Sequence, residues 1–243
     1  MKIAIIGAMA IEIEELKKHL KGLKEKKILE DLFFLGRLGE HEIILTESHV
    51  GVAAASSQLT SIIMSFDIDY VINIGVCGGI KGKVDLLDLV VAKNACYYGA
   101  DATAFPEYVY GQIPKFPPFF SCEDSLAKGL EYKHLDVVSG DKFVNSMDMI
   151  ASDIKKLKGI DPSIVDMESA SFAQIAYKYH KPITIVRTIS DIIGEEGQAK
   201  GYRNTLEEAS LKSCKFVLDI LDRKWYNNKG LYLRYTIPQR ISQ

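Results

Sequence analysis

Short, continuous apolar runs recur along this chain, and most hand over to segments whose apolar residues return every three or four positions. Lys2 to Ile6 reads as a strand, followed at once by Gly7 and by a helix with Ile13, Leu16 and Leu20 on one side. Phe33 to Leu38 and Glu42 to Thr46 read as a hairpin joined at Gly39-Glu40, and Val52 to Met64 as a helix opened by Gly51. Tyr70 to Ile74 is a strand running into GVCGG, and Leu89 to Ala92 is another. Asp101 to Phe119, rich in aromatics and Pro, is expected to be a long loop. Val137-Val138 ends in SGDKFVNS, Ile164-Val165 leads to a helix from Glu168, Ile183 to Val186 is the last core strand, and Leu206 to Asp222 is an amphipathic helix. Continuous apolar strands alternating with helices predict an α/β fold, its sheet covered on both faces.

In such sheets ligands bind beyond the carboxyl ends of the strands. The residues just past those ends are unusual here: Gly7-Ala8-Met9 with Glu12, Gly75-Val76-Cys77-Gly78-Gly79, Ser139-Gly140-Asp141-Lys142-Phe143, Asp166-Met167-Glu168, and Ser190-Asp191. Taken singly, each has an ordinary explanation. Glu12 favours the dipole of a first helical turn, Asp191 could cap a helix, Glu168 could pair with a lysine, and Phe143 could belong to the core. The glycine run is either a tight turn or a place where backbone N–H groups approach a ligand. It is neither GxGxxG nor a phosphate loop with its Lys-Ser/Thr. Carboxylates are costly to bury unpaired, so several of them at buried strand ends point to a site.

Composition narrows the classes. The chain has 243 residues and a formal net charge of -2, which gives no sign of nucleic acid as partner. No apolar run approaches the roughly twenty residues that span a bilayer. Glu12, Glu14 and Glu15 stand where a signal peptide would need its cleavage site, so a cytosolic protein is expected. Cys77, Cys96, Cys122 and Cys214 are far apart, which indicates neither a metal site nor a disulfide framework. Residues 1–222 read as one domain. The segment 223–243, with five basic residues and no acidic ones, reads as a partly ordered extension.

The stretches IAIIGAMAIEIEEL, INIGVCGGI, ADATAFPEYVYGQIP, VSGDKFVN, VDMESASFA and VRTISD, in this order, resemble the 5′-methylthioadenosine/S-adenosylhomocysteine nucleosidases of the purine nucleoside phosphorylase superfamily. The resemblance implies a three-layer α/β/α sandwich around a mixed sheet, a homodimer whose active sites borrow residues from the partner, and no metal or organic cofactor. It implies hydrolysis of the N-glycosidic bond, with Asp191 donating to adenine N7 and Ser190 orienting Asp191. Glu12 would act as base on the attacking water with Arg187 nearby. Glu168 would hold the ribose hydroxyls and Met167 would pack on the sugar. Phe143 would stack on adenine while the backbone around Val144 reads its edge. Met9, Val50, Phe105 and Tyr108 would receive the 5′-alkylthio group, Phe105 and its neighbours from the other subunit, and Tyr202 would replace a family aromatic. Val76, Cys77 and Gly78 would line the reaction centre.

The chain departs from the pattern at Ala10 and Ile11, where the family usually has acidic residues, and at Val76-Cys77, where it usually has Ser-Ala. Three alternatives share these residues: hydrolysis of 6-amino-6-deoxyfutalosine, phosphorolysis on the same fold, and nucleoside binding without catalysis. Phosphate would be repelled by Glu12, and mere binding needs no carboxylate beside a water. An isopropyl group in place of a hydroxyl at 76 is expected to slow turnover or change substrate preference. Val76→Ser should therefore raise kcat/KM in an adenine-release assay; an unchanged value would remove Val76 as a determinant.

Overall fold

The computed structural model describes residues 1–222; the segment 223–243 and its expected partial order lie outside the described residues. The elements, in chain order, are β1 (Lys2–Gly7), α1 (Ala10–His19), β2 (Lys21–Ile28), β3 (Asp31–Leu38), β4 (His41–Glu47), α2 (Val52–Ser65), β5 (Tyr70–Gly79), β6 (Leu89–Tyr97) and β7 (Phe120–Ser121). They continue with β8 (Lys133–Ser139), a short 3₁₀ turn, α3 (Ala151–Lys156), β9 (Pro162–Asp166), α4 (Ser169–Lys178), β10 (Ile183–Ile192) and α5 (Gln198–Asp222). The expected loop over 101–119 holds no helix or strand. No helix among the described residues is long and apolar enough to cross a membrane.

One mixed sheet runs β10-β6-β8-β9-β5-β1-β4-β3-β2, and β10 also pairs with β5. Those pairings close β5, β10, β6, β8 and β9 into a ring, while β1, β4, β3 and β2 extend from it as an open wing. The central strands are apolar on both faces because both faces are covered. On β1, Ala4 and Ile6 join one core with Ala55, Leu59 and Ile62 of α2 and Phe172 and Ala173 of α4. Ile3 and Ile5 point the other way, onto Ile13 and Leu16 of α1 and Val217 and Ile220 of α5. This is the expected three-layer arrangement, modified by the closed ring.

Two expectations change. The glycine run 75–79 is not a turn, since β5 continues through it, paired with β10 and, at Gly78 and Gly79, with β9. Likewise β10 continues past Val186 to Ile192, so Asp191 lies in a strand and caps no helix. Lys21–Ile28 is an additional, exposed strand that, among the described residues, pairs only with β3. Its four lysines suit an edge, where charge discourages pairing with another chain.

Candidate active site

The carboxyl ends of β1, β5, β8, β9 and β10 converge on one cavity. Its wall includes Met9, Glu12, Val50, Val76, Cys77, Gly78, Phe143, Val144, Met167, Glu168, Ser190, Asp191 and Tyr202. Three of the expected residues are not on it. Phe105 and Tyr108 belong to the 101–119 loop, with Phe105 60% exposed, and Arg187 lies beneath the floor.

Glu12 is no solvated helix residue, being only 2% exposed. It sits in the first turn of α1, and its carboxylate is held by main-chain donors. Ala8 N–H and Met9 N–H donate to Oε2 at 2.7 and 3.0 Å, and Val76 N–H donates to Oε1 at 3.0 Å. Burial pushes its pKa up, against Arg187 and the three N–H groups, which pull it down. Gly75 is required for this approach, because a Cβ there would stand 2.6 Å from Glu12 Oε1.

Glu168 stands at the N-terminus of α4 and reaches across the cavity to Gly51, whose N–H donates to Oε1 at 2.8 Å. Gly51 has φ of 108°, a conformation natural to glycine, and a Cβ there would meet Asp141 Oδ1 at 3.1 Å. Burial, and next the neighbouring charge of Asp166, push the Glu168 pKa up to about 7.

Asp191 owes its direction to a bulge. Between Ile189 and Asp191 the β10 register against β5 shifts by one residue, so Ser190 is the extra residue. The Ser190 hydroxyl lies 3.1 Å from Cys77 O and 2.7 Å from Asp191 Oδ1, placed to donate to either. Gln198, at the start of α5, donates its amide to Asp191 Oδ2 at 2.6 Å and to Val144 O at 2.9 Å. Burial raises the Asp191 pKa, opposed by the bonds from Ser190 and Gln198.

Each nitrogen of Arg187 has a partner below the floor. Its Nε donates to Asp166 Oδ2 at 2.9 Å, and its terminal nitrogens donate to Asn73 Oδ1 at 2.5 Å and Val186 O at 3.0 Å. It acts on Glu12 through its field and makes no bond to it. Around the rim, Phe143 is 44% exposed and packs edge-on against Tyr202, ring centroids 5.5 Å apart. The Tyr202 hydroxyl reaches the Met9 sulfur at 3.7 Å. Sequence reasoning missed Gln198, because residues 193–205 lack the apolar periodicity that would have started α5 there. Among the described residues no cluster of His, Cys, Asp or Glu has the arrangement to hold a metal ion.

Residues 2–222 match the family model described as the phosphorylase superfamily. A 5′-methylthioadenosine/S-adenosylhomocysteine nucleosidase of Haemophilus influenzae is 33% identical, over 92% of this chain and 100% of the relative. One of Bacillus velezensis is 31% identical, over 92% and 99%. Among solved structures, the Streptococcus pneumoniae nucleosidase with a transition-state inhibitor superposes with TM-score 0.84 at 28% identity, covering 91% of this chain and 99% of that one.

The raised Glu168 pKa fixes the sign of a pH effect. A carboxyl with pKa 4.5 when unfolded and about 7 when folded favours the folded state below 4.5. That advantage is lost as pH rises through about 7. Glu168→Gln should therefore flatten the decline in stability across this window, gaining most on the wild type near pH 8. Thermal melts of both proteins from pH 5 to 8 check this; parallel curves would reject it.

Proposed function

We propose that this chain, which belongs to the phosphorylase superfamily and within it to the 5′-methylthioadenosine/S-adenosylhomocysteine nucleosidase family, is a hydrolase. It cleaves the N-glycosidic bond of 5′-methylthioadenosine and S-adenosylhomocysteine, releasing adenine and the 5-thioribose product. The observation that carries this is the convergence of Glu12, Glu168 and Asp191 on one cavity, each buried and each held in a different way.

Adenine leaves ribose readily only when N7 is protonated or strongly hydrogen-bonded, and the sugar then becomes cation-like. Asp191, favoured in its protonated form by burial, is the acid at N7. Glu12 takes the proton of the attacking water and, as an anion, stabilises the positive sugar. Ionised Glu168 accepts the two ribose hydroxyls. Arg187 is a positioning residue here, tying down Asp166 and offsetting the negative charge of the floor. Phe143, Tyr202 and Met167 bound the base and the sugar. Lys142 is the lone lysine or arginine on the wall among the described residues, and the Glu12 carboxylate would repel a phosphate anion beside it, which supports hydrolysis over phosphorolysis.

Two copies of the chain would complete the site. The Met9–Val50 side is open, Val50 being 50% exposed, while Phe105 and Tyr108 lie away from their own cavity. We infer a homodimer in which these aromatics close the alkylthio end of the partner's pocket.

Adenine release from 5′-methylthioadenosine should proceed without phosphate and fall by about 10²-fold or more in Asp191→Asn. A requirement for phosphate, or an unimpaired variant, would overturn the mechanism. Phe105→Ala should raise KM about tenfold with kcat little changed, in a protein that light scattering shows to be a dimer. A monomer of full activity would refute the shared site.

A further inference from the structure

Among the described residues, Gln198 is the one side chain that hydrogen-bonds both the proposed acid and the backbone proposed to read the adenine edge. It is only 6% exposed, at the start of α5, and all its hydrogen-bonding groups are engaged. Its Oε1 accepts the N–H of Gly194 at 2.9 Å, in the turn after β10. That bond fixes which end of the amide is which, and the NH₂ group is left to donate at 2.6 Å to Asp191 Oδ2 and at 2.9 Å to Val144 O. Two segments far apart in sequence, one at 144 and one at 191–194, thus meet on one carboxamide.

Resting on the hydrolase reading above, we propose that Gln198 is a positioning residue for glycosidic cleavage. It clamps the acid Asp191 to the backbone at Val144, so that a bound purine meets its proton donor and its edge-reading carbonyl at a fixed separation. A carbonyl oxygen accepts more than one hydrogen bond, and a protonated carboxyl can donate its O–H while still accepting another bond, so the base can engage both groups alongside Gln198. Ser190 holds the other carboxyl oxygen, Oδ1, at 2.7 Å. Between them the two neutral donors fix the plane of the carboxyl group. Productive proton transfer depends on this placement, because a displacement of about 1 Å can cost about 10²-fold in rate.

The clamp also bears on when Asp191 carries its proton. Donation from an amide favours the ionised carboxylate, so Gln198 holds down a pKa that burial drives up. The other titratable or charged groups around Asp191 are Cys77 on β5, whose thiol burial keeps neutral, and the phenol of Tyr202 on α5. Glu12, Asp166 and Glu168 lie elsewhere on the wall with Lys142, and Arg187 lies beneath. All of these remain when Gln198 is changed. As an acid, Asp191 loses activity when pH rises through its pKa. Removing the amide should therefore carry the alkaline limb of the kcat profile to higher pH, by about one unit.

The test is the pH profile of adenine release from 5′-methylthioadenosine for wild type, Gln198→Leu and Gln198→Glu, with thermal melts to verify folding. Gln198→Glu keeps the length and the acceptor for Gly194 and replaces the donor by a carboxyl oxygen. Both variants should lose about tenfold or more in kcat, with a smaller change in KM, and both should show the alkaline limb moved up. If Gln198→Leu does not fold, Gln198→Met, of similar length with neither donor nor charge, takes its place, because the added carboxyl of Gln198→Glu raises the Asp191 pKa by repulsion as well. Lower kcat with an unmoved limb would make Gln198 a packing residue and overturn the proposal, as would unchanged kcat. A wild-type protein that releases no adenine would instead overturn the hydrolase reading itself.

Discussion

A guanidinium with almost no access to water is tolerable only when its charge is answered and its donors are used, and the floor of this cavity is arranged around that constraint. Arg187 and Asp166 form an ion pair whose side chains are each 3% exposed. Asp166 is further saturated by Ser139 Oγ at 2.5 Å, by the Ser169 hydroxyl, and by the N–H groups of Glu168 and Ser169. The pair joins β10 to β9, and through Ser139 to β8, beneath the place where the strands end. Asp166 has the charge of the catalytic carboxylates around it but faces inward, and it fixes the path of the chain into Glu168. The same guanidinium offsets part of the repulsion among the acids above it. Removing either member would leave a buried charge without its partner, so the cost would reach the whole floor.

Much of this was legible beforehand, and the failures have physical reasons. The aliphatic cores of β1, β5 and β10 announce themselves because strands covered on both faces must be continuously apolar. The ends of those strands do not, because there the sheet changes purpose. Gly75 to Gly79 looks like a turn, yet it is strand, with no side chain at Gly75 and Gly78 so that the backbone can approach Glu12 and Asp191. Asp191 looks like a helix cap, yet it follows a bulge at Ser190 that re-aims it. The edge strand β2 is hidden by its lysines, which serve solubility and carry no core signal.

The cavity shows the same division. Glu12, Glu168 and Asp191 could be assembled from sequence by reading the residues beyond each strand, since strand ends of this kind share an edge. The partners of those carboxylates could not be assembled that way. Three of the donors to Glu12 are main-chain N–H groups, which have no letter in a sequence. Gln198 lies in a polar stretch with no periodicity and meets Asp191 only through the turn at Gly194. Burial of Glu12, from which its raised pKa follows, is likewise a property of the folded walls.

The main-chain anchoring of Glu12 has an evolutionary consequence. A carboxylate gripped by side chains ties the identity of each gripping residue to the reaction. One gripped by peptide N–H groups ties down only the course of the backbone, which nearly every residue type supplies equally. Ala8, Met9 and Val76 touch the carboxylate through their peptide N–H groups, so that contact by itself dictates no side chain at these positions. A changed side chain at Met9 or Val76 can therefore reshape what the pocket admits while the group at its centre stays held by the backbone.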